Sequence, residues 1–190
     1  MTPLYHFTDT ARLPWIVDSG QLRPGRNRIG GYPSPDFLWA TSDPRGDGSA
    51  SMERADGYRS GRVRQIRFTL ERDKFFPWSE VLARHPSWTP DQVERLERVG
   101  RKMKSNSVDW WCRIEPLPLR EIGEICWRSY TDNRWRPLPE PFRLATEGRP
   151  ILAIQIGDRA FASQREELPD GRLTYLVLDA RPEVLKTRGR

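Results

Sequence analysis

Apolar and polar positions alternate most regularly from Val63 to Leu70: Ile66, Phe68 and Leu70 fall on one side, Val63, Gln65, Arg67 and Thr69 on the other. A period of two is that of a strand with one buried face. Leu4 to Thr8 reads as a shorter strand closed by Thr8-Asp9-Thr10. Helical spacing follows, with Leu13, Ile16 and Val17 on one face, Thr10 as the predicted N-cap, Pro14 in the first turn and Gly20 as a left-handed stop. Leu22 to Gly25 is an extended exit, and 25–35, rich in Gly, Pro, Arg and Asn, is a surface loop. Strand character returns over Phe37–Ser42, and Asp43 to Gly48 ends it with turn chemistry. The polar stretch through Gly61 has room for a helical turn within 50–58.

Farther along, Thr89-Pro90-Asp91-Gln92 is a capping box with proline at the first helical position, and Val93, Leu96, Val99 and Met103 recur at helical spacing, so a helix should end near Ser105. Residues 110–115 and 121–129 are the next strands, joined through Pro116-Leu117-Pro118-Leu119, which suits an edge or a connection. After the proline-rich stretch 137–150, residues 151–156, 160–163 and 173–179 read as three antiparallel strands joined by Gly157-Asp158 and Pro169-Asp170-Gly171. The pattern predicts an α+β chain of split antiparallel sheets with few helices. It divides into a core over 1–136, a connection over 137–150 and a β segment over 151–190 packed on that core.

Composition narrows the chemistry. With 190 residues the chain can bury a core without disulfides or metal. Its 32 basic against 26 acidic residues leave a net charge of +6, a surface that favours polyanions. Two cysteines, Cys112 and Cys126, and two histidines, His6 and His85, match no common metal-ligand spacing, so no metal is expected. No run of apolar residues is long enough to span a bilayer, and a cytoplasmic protein with no membrane partner is expected.

The most informative arrangement is Leu4-Tyr5-His6-Phe7-Thr8, an amphipathic helix, Ser19-Gly20-Gln21-Leu22-Arg23-Pro24, a loop, and then Leu38-Trp39-Ala40-Thr41-Ser42. From Leu4 to Ser42 the chain resembles the opening of the ADP-ribosyltransferase superfamily, in its histidine-containing branch, which includes DNA-modifying toxins and RNA 2′-phosphotransferases. The resemblance implies a transferase that consumes NAD as substrate and attaches ADP-ribose to a macromolecular acceptor, DNA, RNA or protein, in the role of a toxin or phage-defence factor. It also implies that His6 contacts the NAD ribose, that groups around His6 and Phe7 bind the nicotinamide amide, and that Thr8 buttresses the strand. Thr41 and Ser42 align with the polar pair of the second strand. Trp39 or Tyr32 is left to stack on the nicotinamide, where the histidine branch usually carries tyrosine. Arg26 and Arg28, on the loop, could pair with the pyrophosphate.

Cleaving the nicotinamide–ribose bond builds positive charge on the sugar, so a carboxylate must face it. Glu115, expected at the end of the strand over 110–115, is the first candidate for that catalytic acid, with Glu121 and Glu124 as competitors. A reading from another class is a non-enzymatic nucleic-acid or protein-binding module, whose stacking and phosphate-binding surface would be built from Trp110, Trp111, Trp127, Arg128, Tyr130, Arg134, Trp135 and Arg136. In a third, the segment from Ile151 recognises a partner or oligomerises. Neither the acceptor nor the oligomeric state is legible in the sequence.

Overall fold

The computed structural model describes residues 2–25, 31–33, 36–47, 56–138, 144–146 and 151–179. In chain order the elements are β1 (Leu4–Asp9), α1 (Leu13–Ser19), β2 (Gln21–Leu22), β3 (Leu38–Thr41), α2 (Asp56–Arg59), β4 (Gln65–Leu70) and β5 (Phe76–Pro77). Then come α3 (Val81–Arg84), α4 (Pro90–Lys102), β6 (Trp110–Arg113), β7 (Leu117–Pro118), β8 (Ile125–Arg128) and β9 (Arg136–Pro137). β10 (Leu144–Thr146), β11 (Ile151–Ile156), β12 (Arg159–Glu167) and β13 (Leu173–Leu178) complete the chain. The fold is α+β, mostly antiparallel, with few helices. No described helix is long and apolar enough to cross a membrane.

Two compact units are interleaved along the chain. The first is Met1–Phe7, Leu22–Ser51 and Phe68–Gly123; the second is Thr8–Gln21, Met52–Arg67 and Glu124–Arg190. Strands β1 and β4 each pass from one unit's residues to the other's.

In the first unit the strands lie in the order β5-β6-β3-β1-β4. β3 is antiparallel to both neighbours, with Tyr5 opposite Thr41 and Leu38 to Thr41 opposite Arg113 to Trp110. The core here is aromatic: Phe37, Phe76, Trp78, Val81, Trp88, Trp110 and Cys112 are buried together, and Tyr32, Trp39, Val93 and Leu96 pack on them. Phe37 stacks on Trp88 and meets Phe76 and Trp78 edge-on, geometries that suit the ring quadrupoles.

Helix α4 carries the expected capping box: Thr89 Oγ1 accepts from Gln92 N, and Gln92 Oε1 from Thr89 N. Its apolar stripe is narrower than the spacing suggests. Val93 and Leu96 reach the aromatic core, whereas Val99 is exposed. Gly100 instead faces the core, because a Cβ there would lie 2.5 Å from Trp110 Cζ2. Trp110 has no room to yield, since its indole N–H donates to Asp47 Oδ2 and Ser105 Oγ, both at 2.7 Å, and Ser105 Oγ in turn donates to Asp47 Oδ2.

The second unit holds the sheet β10-β11-β12-β13. The three expected C-terminal strands form in antiparallel register, Ile151 to Ile156 opposite Gln164 to Arg159, and Ala162 to Glu167 opposite Leu178 to Leu173. A fourth strand, β10, lies within the proline-rich stretch and adds antiparallel to β11. β8 pairs with β9 in the same unit.

Helix α1 begins later than predicted and is capped differently. Asp9, not Thr10, closes the turn, its carboxylate accepting from Ala11 N and Arg12 N, while Thr10 Oγ1 accepts from Arg64 N. Pro14 sits in the first turn and Gly20 adopts the left-handed conformation, as the sequence implies. The helix buries Leu13, Pro14 and Trp15, leaving Ile16 and Val17 only half-buried. The indole of Trp15 donates to Ser163 Oγ at 2.9 Å, and that hydroxyl donates to Ala11 O.

Two stability measurements follow from this packing. Gly100→Ala should destabilise the chain by about 1–3 kcal/mol despite alanine's better helix propensity, because the indole in its way is pinned. Trp110→Phe should cost roughly 2 kcal/mol or more by stripping a donor from the buried Asp47 carboxylate. Urea denaturation reads both; a Gly100→Ala protein as stable as wild type would contradict the packing argument.

Candidate functional site

Strand pairing in the first unit brings part of the expected constellation together. His6, half-buried on β1, makes a 2.8 Å hydrogen bond through Nδ1 to the carbonyl of Trp39 on β3. A carbonyl oxygen only accepts, so Nδ1 carries the proton; the ring is fixed in orientation and, when neutral, in tautomer. Its ring lies 6.1 Å from that of Phe68 on β4. Phe7, next along β1, is buried. Thr8, which belongs to the second unit, is buried as well.

Trp39 has a structural employment. Its indole N–H donates to Asp36 Oδ1 at 2.9 Å, and its ring meets Phe37 and Trp110 edge-on and Trp78 at a tilt. Tyr32, the alternative stacking ring, leans on Trp88 and lies under the Arg95 guanidinium, 4.6 Å from its centroid. Thr41 is buried, its hydroxyl accepting from Asp43 N. Ser42 donates to Asp109 Oδ1 at 2.6 Å, and Ser42 N donates to Asp109 O. The two polar residues thus tie β3 to its following turn and to the entry of β6. Arg26 and Arg28 lie outside the described residues.

Glu115 is not on a strand: β6 stops at Arg113, and the two residues that follow it are exposed. The Arg113 guanidinium causes the break, since it donates to the carbonyls of Glu115, Pro116 and Lys74, turning the chain back on itself. The result is a solvent-facing glutamate on a braced turn. Of its competitors, Glu121 is ion-paired with Lys74 at 3.1 Å, and Glu124 is exposed beside the Cys126 thiol. Among the described residues no group of three or more His, Cys, Asp or Glu is placed to hold a metal ion.

The tryptophans and arginines of the alternative reading divide. Trp110 is core. In the second unit, Trp127 has Arg64 over it at 4.3 Å and Arg136 at 5.7 Å, and Trp135 has Arg67 and Arg128 each at 4.6 Å. Arg128 is buried and donates to Gln65 Oε1 and Asn133 Oδ1. These layers of guanidinium on indole are cation–π contacts in a partly dry setting, where they are worth most. Arg59, Arg64 and Arg159 were not apparent from sequence; they come together in a pocket of this unit.

Burial governs the clearest perturbations of acidity. It pushes the Cys112 thiol well up, with the Asp36 carboxylate adding to the effect, which disfavours the nucleophilic thiolate. Cys126 is raised too, by burial and then by Glu124, with Arg67 opposing. Asp36 is raised by burial, against the hydrogen bonds from Trp39 and Phe37 N that lower it.

Because Asp36 is more basic in the folded chain than its ordinary 3.8, the native state holds an extra proton between that value and the raised one. Its contribution to stability is therefore fully present at lower pH and is lost as pH rises through that window. Asp36→Asn keeps an oxygen acceptor for Trp39 and Phe37 and should remove this loss, so that the variant's Tm gains on wild type from pH 3 toward neutrality. A Tm difference that stays flat with pH would refute the assignment.

Comparison with protein-family models, with curated proteins and with solved structures returns no match to this chain.

Proposed function

We propose that the chain transfers ADP-ribose from NAD to a macromolecular acceptor, through an ADP-ribosyltransferase-like site on β1 and β3 of the first unit. The observation that carries this reading is the His6 imidazole, locked by the Trp39 carbonyl on the neighbouring antiparallel strand. A ring held in this way suits the orienting of a ribose hydroxyl. The order of elements supports it: β1 with Tyr5-His6-Phe7-Thr8, a helix stopped by Gly20, the extended Gln21–Leu22, and β3 ending in Thr41-Ser42.

In this reaction the bond between the nicotinamide nitrogen and ribose C1′ breaks, and its electron pair leaves with neutral nicotinamide. The sugar becomes an oxocarbenium ion, and a nucleophile of the acceptor then bonds to C1′ and gives up its proton. His6 orients the ribose. Glu115, on its braced turn, supplies the carboxylate that holds the 2′-hydroxyl and offsets the developing charge. The part played by Trp39 is to set His6 through its backbone, since its ring is committed to the core.

Nicotinamide release from NAD by the purified chain, alone and with DNA, RNA or cell lysate, tests the reading. Glu115→Gln should lower kcat by about 10²–10³-fold, the scale of losing one transition-state contact, and His6→Ala should reduce kcat/KM similarly. If Glu121→Gln or Glu124→Gln abolishes turnover and Glu115→Gln does not, the acid is reassigned. Absence of both turnover and NAD binding would remove the proposal.

A further inference from the structure

After β4 the chain makes a single 3-10 turn, Arg72–Lys74, before it enters β5. This turn is gripped from several sides. Arg72 Nε donates to the Thr2 carbonyl at 3.0 Å, and its guanidinium lies over the ring of Trp111 on β6 at 4.5 Å. Lys74 Nζ bridges two carboxylates, Glu71 at 2.9 Å and Glu121 at 3.1 Å. The lysine side chain is 22% exposed, so water screens these pairs less than it would on an open surface.

The other polar group of Lys74, its carbonyl, accepts from Arg113 Nη1 at 3.0 Å. From there the same guanidinium reaches the Glu115 carbonyl through Nε at 3.0 Å and the Pro116 carbonyl through Nη2 at 3.4 Å. A continuous path of contacts thus runs from Glu121 through Lys74 and Arg113 to the main chain at Glu115, all within the first unit. Two of the three carbonyls belong to the turn and the third lies outside it, so the guanidinium ties the turn to a fixed point. A planar fork of N–H donors can serve several acceptors at once, whereas an ammonium on a flexible stem is a point charge without that geometry.

Placement matters to a carboxylate that must hold a hydroxyl and offset charge in a transition state, because an error of about 1 Å costs on the order of 10² in rate. β6 stops at Arg113 and Glu115 is exposed, so the strand ladder does not supply that placement. We infer that Arg113 is a positioning residue for the transfer reaction, holding the Glu115 turn against the Lys74 carbonyl, and that Glu121 is the outer anchor of this brace through Lys74. The inference rests on Glu115 being the carboxylate of the proposed reaction.

The test measures amide hydrogen exchange over 111–119 and steady-state nicotinamide release in parallel on the full chain. Arg113→Lys keeps the charge and loses the fork. It should speed exchange at Ile114, Glu115 and Leu117 and lower kcat about tenfold, with KM for NAD kept within about twofold. Glu121→Gln should speed exchange in the same stretch and lower kcat less than Glu115→Gln does. Arg98→Gln, on α4 and ion-paired with Glu94, should change neither quantity. A general loss of stability would speed exchange throughout the chain, and the expected change is confined to 114–117. Unchanged exchange there in Arg113→Lys would overturn the inference, as would faster exchange with kcat unaltered, or a KM that rises while kcat holds. A wild-type chain without turnover removes the transfer reading instead, and the positioning role with it, even where exchange follows Arg113.

Discussion

A tryptophan placed in a protein interior brings one polar hydrogen with it, and the chain must provide an acceptor or lose the benefit of burial. This requirement shapes the first unit. Trp39 finds Asp36, Trp78 finds Glu97 on α4, and Trp110 finds Asp47 and Ser105. Each bond ties the aromatic core to a different segment: the approach to β3, the long helix, and the turn that follows β3. The same device appears in the second unit, where Trp15 reaches Ser163 on β12. Polar residues that look like loop decoration in the sequence are the fasteners of the hydrophobic core.

The candidate site inherits its geometry from this arrangement. β3 is positioned by the indoles behind it, and the carbonyl of Trp39, held in that strand, orients the His6 ring. Likewise the glutamate turn is set by Arg113, whose three carbonyl acceptors fix where β6 ends. The groups offered for chemistry are thus placed by backbone bonds and by residues outside the chemistry, and substitutions in the aromatic core would move the site without touching it.

Much of the architecture was legible because it follows from local periodicity. The alternation of β4, the capping box of α4, the left-handed Gly20 and the C-terminal meander each depend on neighbours in sequence. What escaped depends on contacts distant in sequence. Asp9 displaced Thr10 at the start of α1 because Arg64 N claimed the threonine hydroxyl. Val99 gave up its place to Gly100 because Trp110 needed the space. β6 stopped short of Glu115 because one guanidinium gathered the carbonyls beyond it. The arginine pocket left no local signature at all, since its lining comes from three separate stretches of chain.

The interleaving of the two units bears on how the chain is made. The second unit joins α1 to β12, and the bond from Trp15 to Ser163 spans 148 positions. During synthesis the residues of 8–21 must wait, with Trp15 lacking its acceptor, until β12 with Ser163 has emerged. Folding of this unit is therefore an event of high contact order, slow by comparison with a helical bundle of the same size. While it waits, the nascent chain offers apolar segments to whatever chaperones attend the ribosome.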